Sequence, residues 1–295
     1  MESHKSGFVS IVGRPNAGKS TLLNRLTGEK ISIVTDRPQT TRQVIRGILS
    51  RPEGQIVFLD TPGIHKPIHR MNEHMMKSVR SSLADVDLLL LIVDATTSFG
   101  RGDDFAVGLI KEIRTPAFLL LNKIDAVKKS RLLPLIDRYT KLASFEEVLP
   151  ISALSGDNVD ALVQLILKHL PEGPPYYPTD QLSDQHERTI AAEIVREKLI
   201  LATHDELPFS TAVLIERFEE SDGIDRIYAS VLVERESQKA IVIGKGGQLL
   251  KEVGIAARKE LETFLGKKVH LELHVKVKGH WRDDEGTLKS LGLSE

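Results

Sequence analysis

The segment from Gly13 to Ser20 reads G-R-P-N-A-G-K-S and brings two glycines together with a lysine and a hydroxyl group. It matches the spacing G-x-x-x-x-G-K-[ST] and lies between a short apolar run and an amphipathic one, as a strand and a helix would. Glycines let consecutive backbone N–H groups turn toward phosphates, and the N-terminus of the following helix adds positive potential. The segment therefore predicts a loop that holds the phosphates of a nucleotide, formed by Gly13, Arg14, Pro15, Asn16, Ala17, Gly18, Lys19, Ser20 and Thr21.

Downstream polar residues supply the groups that a metal-bound triphosphate requires. Ser20 would ligate Mg²⁺, Asp60 would hold it through water, and Thr41 would bring a hydroxyl and a carbonyl to it. Lys19 would reach the β and γ phosphates, and the amide of Gly63 would meet the γ-phosphate. We expect in-line attack of water on the γ-phosphate, with Lys19, Thr41 and Gly63 as catalytic residues. The residues expected to contact the nucleotide in this segment are Asp60, Thr61, Pro62, Gly63 and Ile64.

A third motif, N-K-I-D at 122–125, follows an apolar run and predicts which base is bound. The carboxylate of Asp125 accepts hydrogen bonds from guanine N1–H and N2–H, whereas adenine has no exocyclic 2-amino group. A buried carboxylate left without these donors would disfavour adenine strongly. We therefore expect GTP and GDP as ligands, with Asn122 bracing the loop and the stem of Lys123 covering the base. A second segment is also expected to contact the base, with the Ala153 amide donating to guanine O6. It comprises Ser152, Ala153 and Leu154.

These motifs lie at the ends of short apolar runs that alternate with amphipathic ones between Phe8 and about Leu170. The apolar runs are nearly unbroken, which is typical of a mostly parallel sheet covered by helices on both faces. We expect an α/β, doubly wound domain of the P-loop GTPase type, because ligands of such sheets bind at the carboxyl ends of the strands. The expected strands are 8–12, 56–59, 88–93, 117–121 and 148–151, and the expected helices are 19–26, 72–83, 104–113, 132–142 and 159–170.

Closely spaced prolines at 171–178 end this alternation of strands and helices, since proline neither continues a helix nor donates to a central strand ladder. Beyond them the pattern predicts a helix at 187–202, strands at 210–218 and 226–234, a helical region at 238–265 and a strand at 269–277. The chain is therefore divided into a GTPase domain at 1–172, a linker at 173–186, a smaller α+β domain at 187–282 and a C-terminal tail at 283–295.

A glycine-flanked turn, G-K-G-G at 244–247, joins two helical stretches of the second domain. Such a turn lets phosphates approach the backbone, and the element order is that of a type II KH domain. From Lys239 to Arg282 there are ten Lys or Arg against four Glu, a basic balance expected of an RNA-binding face. The following helix should bury Leu249, Val253, Ala256, Leu261 and Phe264. The expected RNA contacts are Ile243, Gly244, Lys245, Gly246, Gly247, Lys251 and Arg258.

Taken together, these motifs and Q-T-T-R at 39–42 resemble the Era family over nearly the whole chain. The resemblance implies a GTPase that binds the 3′ end of small-subunit (16S) ribosomal RNA, assists processing and assembly of the 30S subunit, and associates peripherally with the inner face of the cell membrane. In the related TrmE-Era group an asparagine at the position of Asn16 helps to bind K⁺, which would make Asn16 a further catalytic residue. Ile64, which replaces the glutamine of Ras-like enzymes, is normal for the family.

Composition narrows the remaining possibilities. The chain of 295 residues has no cysteine, which excludes disulfides and thiolate metal sites, and its longest apolar run, at 88–93, is far too short to cross a membrane. We expect a cytoplasmic monomer that does not bind DNA. An alternative is a regulatory GTPase that acts at the membrane or in cell-cycle control through a protein partner. The glycine turn and the local basic charge favour RNA instead.

Overall fold

The computed structural model describes residues 4–37, 40–63, 68–204 and 207–294. The chain forms two compact units. The first ends at Asp184, and the second comprises the residues from Gln185 onward together with the segment Ile68–His74. Among the described residues, no helix has the length and apolar character that crossing a membrane would need.

The first unit is built on a six-stranded sheet with strand order β2-β3-β1-β4-β5-β6. All neighbouring strands are parallel except β2 and β3. The strands are β1 (Lys5–Val12), β2 (Ile45–Arg51), β3 (Gly54–Asp60), β4 (Leu88–Asp94), β5 (Ala117–Asn122) and β6 (Glu147–Pro150). The helices between these strands and after them are α1 (Lys19–Thr27), α2 (Arg70–Ala84), of which the residues from Met75 onward belong to this unit, α3 (Arg101–Lys111), α4 (Leu132–Leu142) and α5 (Val159–His169).

The central strands are buried on both faces, as their unbroken apolar sequences predict. Along β4, Leu88, Leu90 and Ile92 belong to a cluster that α1 and α5 also enter. Leu89 and Leu91 belong to a second cluster on the opposite face, with residues of α2, α3 and α4. Because successive strand residues point to opposite faces, this division confirms the doubly wound arrangement.

One edge of the sheet differs from the sequence prediction. Strand β2 was not predicted, and the segment assigned to a linker at 173–186 packs beside it up to residue 184. The backbone N–H of Ile48 donates to the carbonyl of Leu182 over 2.8 Å, and the Arg46 guanidinium lies 2.6 Å from the Asp184 carboxylate. This segment belongs to the first unit because it satisfies backbone groups of an edge strand.

The second unit contains a three-stranded sheet with order β7-β8-β9, in which β7 and β8 are antiparallel and β8 and β9 parallel. Its helices are α6 (Glu187–Ala202), α7 (Leu207–Ser210), α8 (Glu236–Ile243), α9 (Gln248–Leu265) and α10 (Glu285–Ser290), and its strands are β7 (Ala212–Glu219), β8 (Ile224–Val233) and β9 (Lys268–Val277). Helix α9 buries Val253, Ala257 and Leu261 at four-residue spacing. The predicted burial of Ala256 and Phe264 is wrong, because both lie off this stripe and are exposed.

The C-terminal segment is part of the second unit and does not form a separate tail at 283–295. Trp281 is fully buried, and its indole N–H donates to the carbonyl of Ser210 over 2.9 Å. Leu288 in α10 is also fully buried. Asp284 caps this helix by accepting from the Thr287 N–H over 2.8 Å. The segment therefore contributes to the core that supports the rest of the unit.

Candidate functional site

The predicted phosphate loop connects the carboxyl end of β1 to the start of α1, and its two glycines are required by its packing. A Cβ atom at Gly13 would stand 2.3 Å from the carbonyl oxygen of Ile92. Gly18 has a φ of +102°, and a Cβ there would stand 2.2 Å from Nδ2 of Asn122. Both glycines are therefore fixed by close contacts as well as by backbone conformation.

A cavity of about 780 Å³ opens over this loop. Of the predicted ligand-binding residues, those that line it are Arg14, Pro15, Asn16, Gly18, Lys19, Ser20, Thr21, Thr41, Gly63 and Lys123. The other described ones do not line it, namely Gly13, Ala17, Asp60, Thr61, Pro62, Asn122, Asp125, Ser152, Ala153 and Leu154. Ile64 lies outside the described residues. The lining also includes residues that were not predicted, namely Ile33, Val34, Thr35, Asp36, Thr40, Asp94 and Thr97.

Lys19 is buried at the floor of the cavity. Its ammonium group donates to the carbonyl of Arg14 over 2.9 Å and to that of Gly13 over 3.3 Å. Burial lowers the pKa of Lys19 to about 8, although the charge of Asp60 acts in the opposite direction. A phosphate group near this ammonium would favour its charged form, so ligand binding and protonation of Lys19 are coupled.

The three predicted metal ligands lie together beside the loop. The Ser20 hydroxyl is 2.7 Å from Oδ2 of Asp60 and 2.9 Å from the Thr41 hydroxyl. Burial raises the pKa of Asp60, while the Lys19 charge and three hydroxyl donors oppose that rise. Oδ1 of Asp60 is buried and has no hydrogen-bond partner among the described residues. Two hydroxyl groups and a carboxylate oxygen without a partner are donors that suit Mg²⁺.

Asn122 connects the phosphate loop to the predicted base segment, as its bracing role requires. Its Nδ2 donates to the carbonyl of Ala17 over 2.8 Å, and its Oδ1 accepts from the backbone N–H of Ala153 over 2.9 Å. The Ala153 amide predicted to meet guanine O6 thus already has a protein partner. Asp125 is exposed, not buried as expected, so it can discriminate between bases only where a base covers it.

Lys123 forms an ion pair that the sequence did not reveal. Its ammonium group lies 2.6 Å from Oδ2 of Asp94, which ends β4 beside Asn122 of β5. Burial works to raise the pKa of Asp94, but hydrogen bonds from Lys123 and Thr96 outweigh it and lower that pKa. A carboxylate at the carboxyl end of a parallel strand is a signal by which Asp94 could have been found.

Three other predicted residues have definite partners. The Thr61 hydroxyl donates to the carbonyl of Ile11 over 2.8 Å and is therefore engaged in the core. Asn16 has a φ of +62°, and its Nδ2 donates to the carbonyl of Asp36 over 2.6 Å. Arg14 forms an ion pair of 2.6 Å with buried Asp103 at the start of α3. The contacts of Asn16 and Arg14 anchor the loop through side chains and use none of its backbone N–H groups.

The glycine turn of the second unit has the predicted helix-turn-helix geometry. Helix α8 ends at Ile243 and α9 begins at Gln248, with φ values of +75°, +60° and +79° at Gly244, Gly246 and Gly247. Beside the turn, a groove of about 400 Å³ runs between α9 and β9, lined by Gly247, Leu250, Lys251, Gly254, Ile255, Arg258, Leu271, Glu272 and Leu273. The other predicted RNA contacts, Ile243, Gly244, Lys245 and Gly246, do not line this groove.

Two parts of the chain match described families. Residues 8–123 match the family of the 50S ribosome-binding GTPase, and residues 206–282 match the KH domain. A GTPase Era from Staphylococcus haemolyticus is 48% identical, and the alignment covers 100% of this chain and 99% of the relative. The chain belongs to the Era family of GTPases. It is accordingly an enzyme that hydrolyses GTP.

Solved Era structures share the fold of this Era-family chain over its full length. A variant of Aquifex aeolicus Era bound to GDP and AlF₄⁻ is 43% identical with a TM-score of 0.95, covering 99% of this chain and 100% of that one. An Era in complex with MgGDPNP and nucleotides 1506–1542 of 16S ribosomal RNA is 43% identical with a TM-score of 0.96 and the same coverage. The expected fold, a GTPase domain followed by a KH domain, is confirmed.

Proposed function

We propose that this chain couples GTP hydrolysis to binding of the 3′ end of 16S ribosomal RNA and assists processing and assembly of the 30S subunit. The observation that carries the proposal is the glycine turn beside a groove of mixed basic and apolar character. A relative 43% identical and matched over 100% of its length was crystallised with nucleotides 1506–1542 of that RNA. The basic balance of the segment 239–282 supports the same ligand.

For hydrolysis, we assign the chemistry to the cavity over the phosphate loop. Mg²⁺ held by Ser20, Thr41 and Asp60 would neutralise charge on the phosphates. Lys19 donates to the β and γ phosphates from a desolvated position, and the Gly63 amide faces the γ-phosphate. Water attacks phosphorus in line and GDP leaves, so the main contribution of the protein is positioning and electrostatic stabilisation.

For base selection, Asp125 reads guanine N1–H and N2–H, and Lys123 covers the base while paired with Asp94. Both side chains stand on the short segment that follows β5. We propose that this segment, together with Ser152, Ala153 and Leu154, forms the guanine side of the site. Asn122 gives it a rigid link to the phosphate loop through its two side-chain hydrogen bonds.

K⁺ is proposed as a second cation on the strength of the family resemblance and the position of Asn16 on the cavity wall. The amide nitrogen of Asn16 is engaged with Asp36, which leaves its side-chain oxygen as the group able to coordinate a cation. Hydrolysis is expected to be faster in KCl than in NaCl, and Asn16→Ala should remove that difference. Peripheral membrane association and a monomeric state stay predictions.

On the RNA side, Lys245, Lys251 and Arg258 are proposed to contact phosphates while Leu250 and Ile255 contact bases in the groove. Ile255 is 51% exposed and lines the groove together with Leu250, so its apolar surface is accessible to a base. Exposed lysines around side-chain-poor backbone are the arrangement that lets an RNA backbone approach closely.

The proposal is tested by crosslinking the protein to total cellular RNA with and without a non-hydrolysable GTP analogue and sequencing the captured fragments. We expect enrichment of the 3′ end of 16S RNA over its abundance, and loss of that enrichment in Lys251→Gln/Arg258→Gln protein. Fragments recovered in proportion to cellular abundance, or recovered equally by the double variant, would contradict it. Recovery of a protein partner in place of RNA would favour the alternative regulatory role.

A further inference from the structure

Arg25 on α1 contacts the backbone of the loop that follows β6. Its Nε donates to the carbonyl of Ala153 over 3.3 Å, and its Nη2 donates to the carbonyl of Leu154. One guanidinium therefore donates hydrogen bonds to two successive backbone carbonyls, although the arginine itself is exposed to solvent. The residues it holds are two of the three assigned to the guanine side of the site.

The guanidinium also lies beside Gly156 of the same loop. Gly156 has a φ of +93°, and a Cβ atom there would stand 3.8 Å from the Arg25 guanidinium, with no closer neighbour. Within the loop, the Ser155 N–H donates to the Ser152 hydroxyl over 3.1 Å. Ala153 is thus held at both ends, with its N–H on the Asn122 side chain and its carbonyl on Arg25.

The contact also changes how strongly one N–H group of the loop can donate. The carbonyl of Ala153 shares a peptide group with the N–H of Leu154, and hydrogen bonding at the oxygen of an amide makes its N–H a stronger donor. Because the donor is a charged guanidinium, the polarisation exceeds that from a neutral group. Arg25 therefore both orients the peptide group between Ala153 and Leu154 and strengthens the Leu154 N–H as a donor to a carbonyl oxygen.

We infer that Arg25 is a positioning residue for guanine, which fixes the Leu154 N–H for contact with O6, since the N–H groups of Ser152 and Ala153 are already bonded to the Asp157 carbonyl and the Asn122 side chain. It links the base side of the site to α1, the helix whose N-terminus faces the phosphates. This inference rests on the proposed assignment of the loop 152–154 to the base. Arg25 does not line the cavity over the phosphate loop, so its effect is exerted through the loop 152–154.

The pattern of ligand dependence distinguishes this role from general stabilisation. GDP and IDP share O6 and differ only in the 2-amino group that Asp125 reads. Arg25→Ala should therefore raise the dissociation rates of both nucleotides by the same factor, about tenfold for the loss of charge-assisted hydrogen bonds. The single-turnover hydrolysis rate at saturating GTP should stay unchanged while KM rises, because the reacting phosphate lies at the other end of the nucleotide.

The test measures dissociation of fluorescent GDP and IDP by stopped flow from wild type, Arg25→Ala, Arg25→Lys and Arg114→Ala. Arg114 is an exposed arginine before β5, at the end of the sheet away from the nucleotide, and serves as the matched control. Equal acceleration for both nucleotides in Arg25→Ala, partial rescue by lysine and no effect in the control are expected. Unchanged rates, or a change confined to one nucleotide, would overturn the inference.

A further comparison separates this inference from the base assignment itself. If wild-type protein retains ADP as firmly as GDP, the proposed guanine site fails, and the role of Arg25 fails with it. If guanine is selected and Asp125→Asn alters that selection while Arg25→Ala changes no rate, only the positioning role is excluded. A fall in the saturated hydrolysis rate together with a lower thermal midpoint in Arg25→Ala would show a structural role and also overturn the inference.

Discussion

The two glycine-bearing loops of this chain resemble each other in sequence and differ in how they are held. Each ends in a glycine at positive φ that directly precedes a helix, Gly18 before α1 and Gly247 before α9. A Cβ atom at Gly18 would collide with Asn122, whereas at Gly246 or Gly247 it would meet nothing within 4 Å. The first loop is closed in by its neighbours, whereas the second is open at Gly246 and Gly247, although a Cβ atom at Gly244 would stand 2.8 Å from Leu249.

The lysines of the two loops differ in burial in the same way. Lys19 is 5% exposed and has a lowered pKa, while Lys245 is exposed at the end of α8. Desolvated charges act strongly and are weakly screened by salt, whereas exposed ones act collectively and are screened within about 10 Å at 0.1 M salt. The first loop therefore selects one ligand by directed contacts, and the second attracts a polyanion by accessible backbone and summed charge.

The largest effect should come from changing the directed contact with the base. In Asp125→Asn the side chain can no longer accept from both guanine N1–H and N2–H, so GTP affinity should fall by about 10³-fold or more while xanthosine nucleotides gain. Competition binding with GTP, XTP and ATP measures the change. An unaltered preference for GTP would remove Asp125 from the base site.

A smaller but diagnostic effect is expected at Gly18. Gly18→Ala should lower nucleotide affinity by about 10²-fold, because the new methyl group displaces Asn122 and strains a positive φ. Gly28→Ala is the matched control, since Gly28 ends the same helix at a φ of +78° with no neighbour within 4 Å of a Cβ. Equal losses in both variants would show that backbone strain, and not the contact with Asn122, sets the effect.

Because the pKa of Asp60 is raised, Mg²⁺ binding at this site should depend on pH. A raised pKa means that the folded protein holds this proton more firmly, so Mg²⁺ ligation is complete at high pH and is lost as pH falls through that value. Mg²⁺-dependent retention of GDP should decline about tenfold per pH unit below it, starting at a higher pH than for an exposed aspartate. Asp60→Asn should show no such decline. A wild-type profile that is flat to pH 4 would contradict the assignment.

The smallest effects belong to the open loop. Gly246→Ala should change RNA affinity by less than about threefold, because its methyl group meets no neighbour and only the positive φ resists it. Gly246→Asp should weaken binding more, and Lys245→Gln should reduce the dependence of log K on log salt by about one. Filter binding from 0.05 to 0.5 M NaCl measures both. A large loss in Gly246→Ala would mean that the second loop is as sterically restricted as the first.

The sequence predicted elements whose signals are local. The buried strands of the first unit were recognisable because parallel strands covered on both faces are continuous apolar runs. Strand β2 was missed because it lies at the sheet edge and contains Gly47, a residue that weakens a strand signal. Here glycine is needed, as a Cβ would stand 2.6 Å from the side chain of Leu23. The packing of residues up to 184 could not be predicted without that strand.

In the nucleotide site, too, residues in local motifs could be predicted and residues that depend on tertiary contacts could not. Contiguous motifs such as the phosphate loop and N-K-I-D carry their ligand groups within a few residues, so spacing alone indicated their positions. The pair between Lys123 and Asp94 depends on the register of β4 and β5, and the contact of Arg25 with Ala153 joins residues 128 positions apart. Such contacts follow from tertiary structure, and only the placement of Asp94 at a strand end gave any sequence signal.

The most direct test of the central claim is to measure, on one protein preparation, the affinities for GDP and for an RNA covering nucleotides 1506–1542 of 16S ribosomal RNA across 0.05 to 0.5 M NaCl. We expect log K for RNA to fall linearly and steeply with log salt while log K for GDP changes little. Parallel salt dependence for the two ligands would contradict the distinction between a closed, desolvated loop and an open, charge-dependent one.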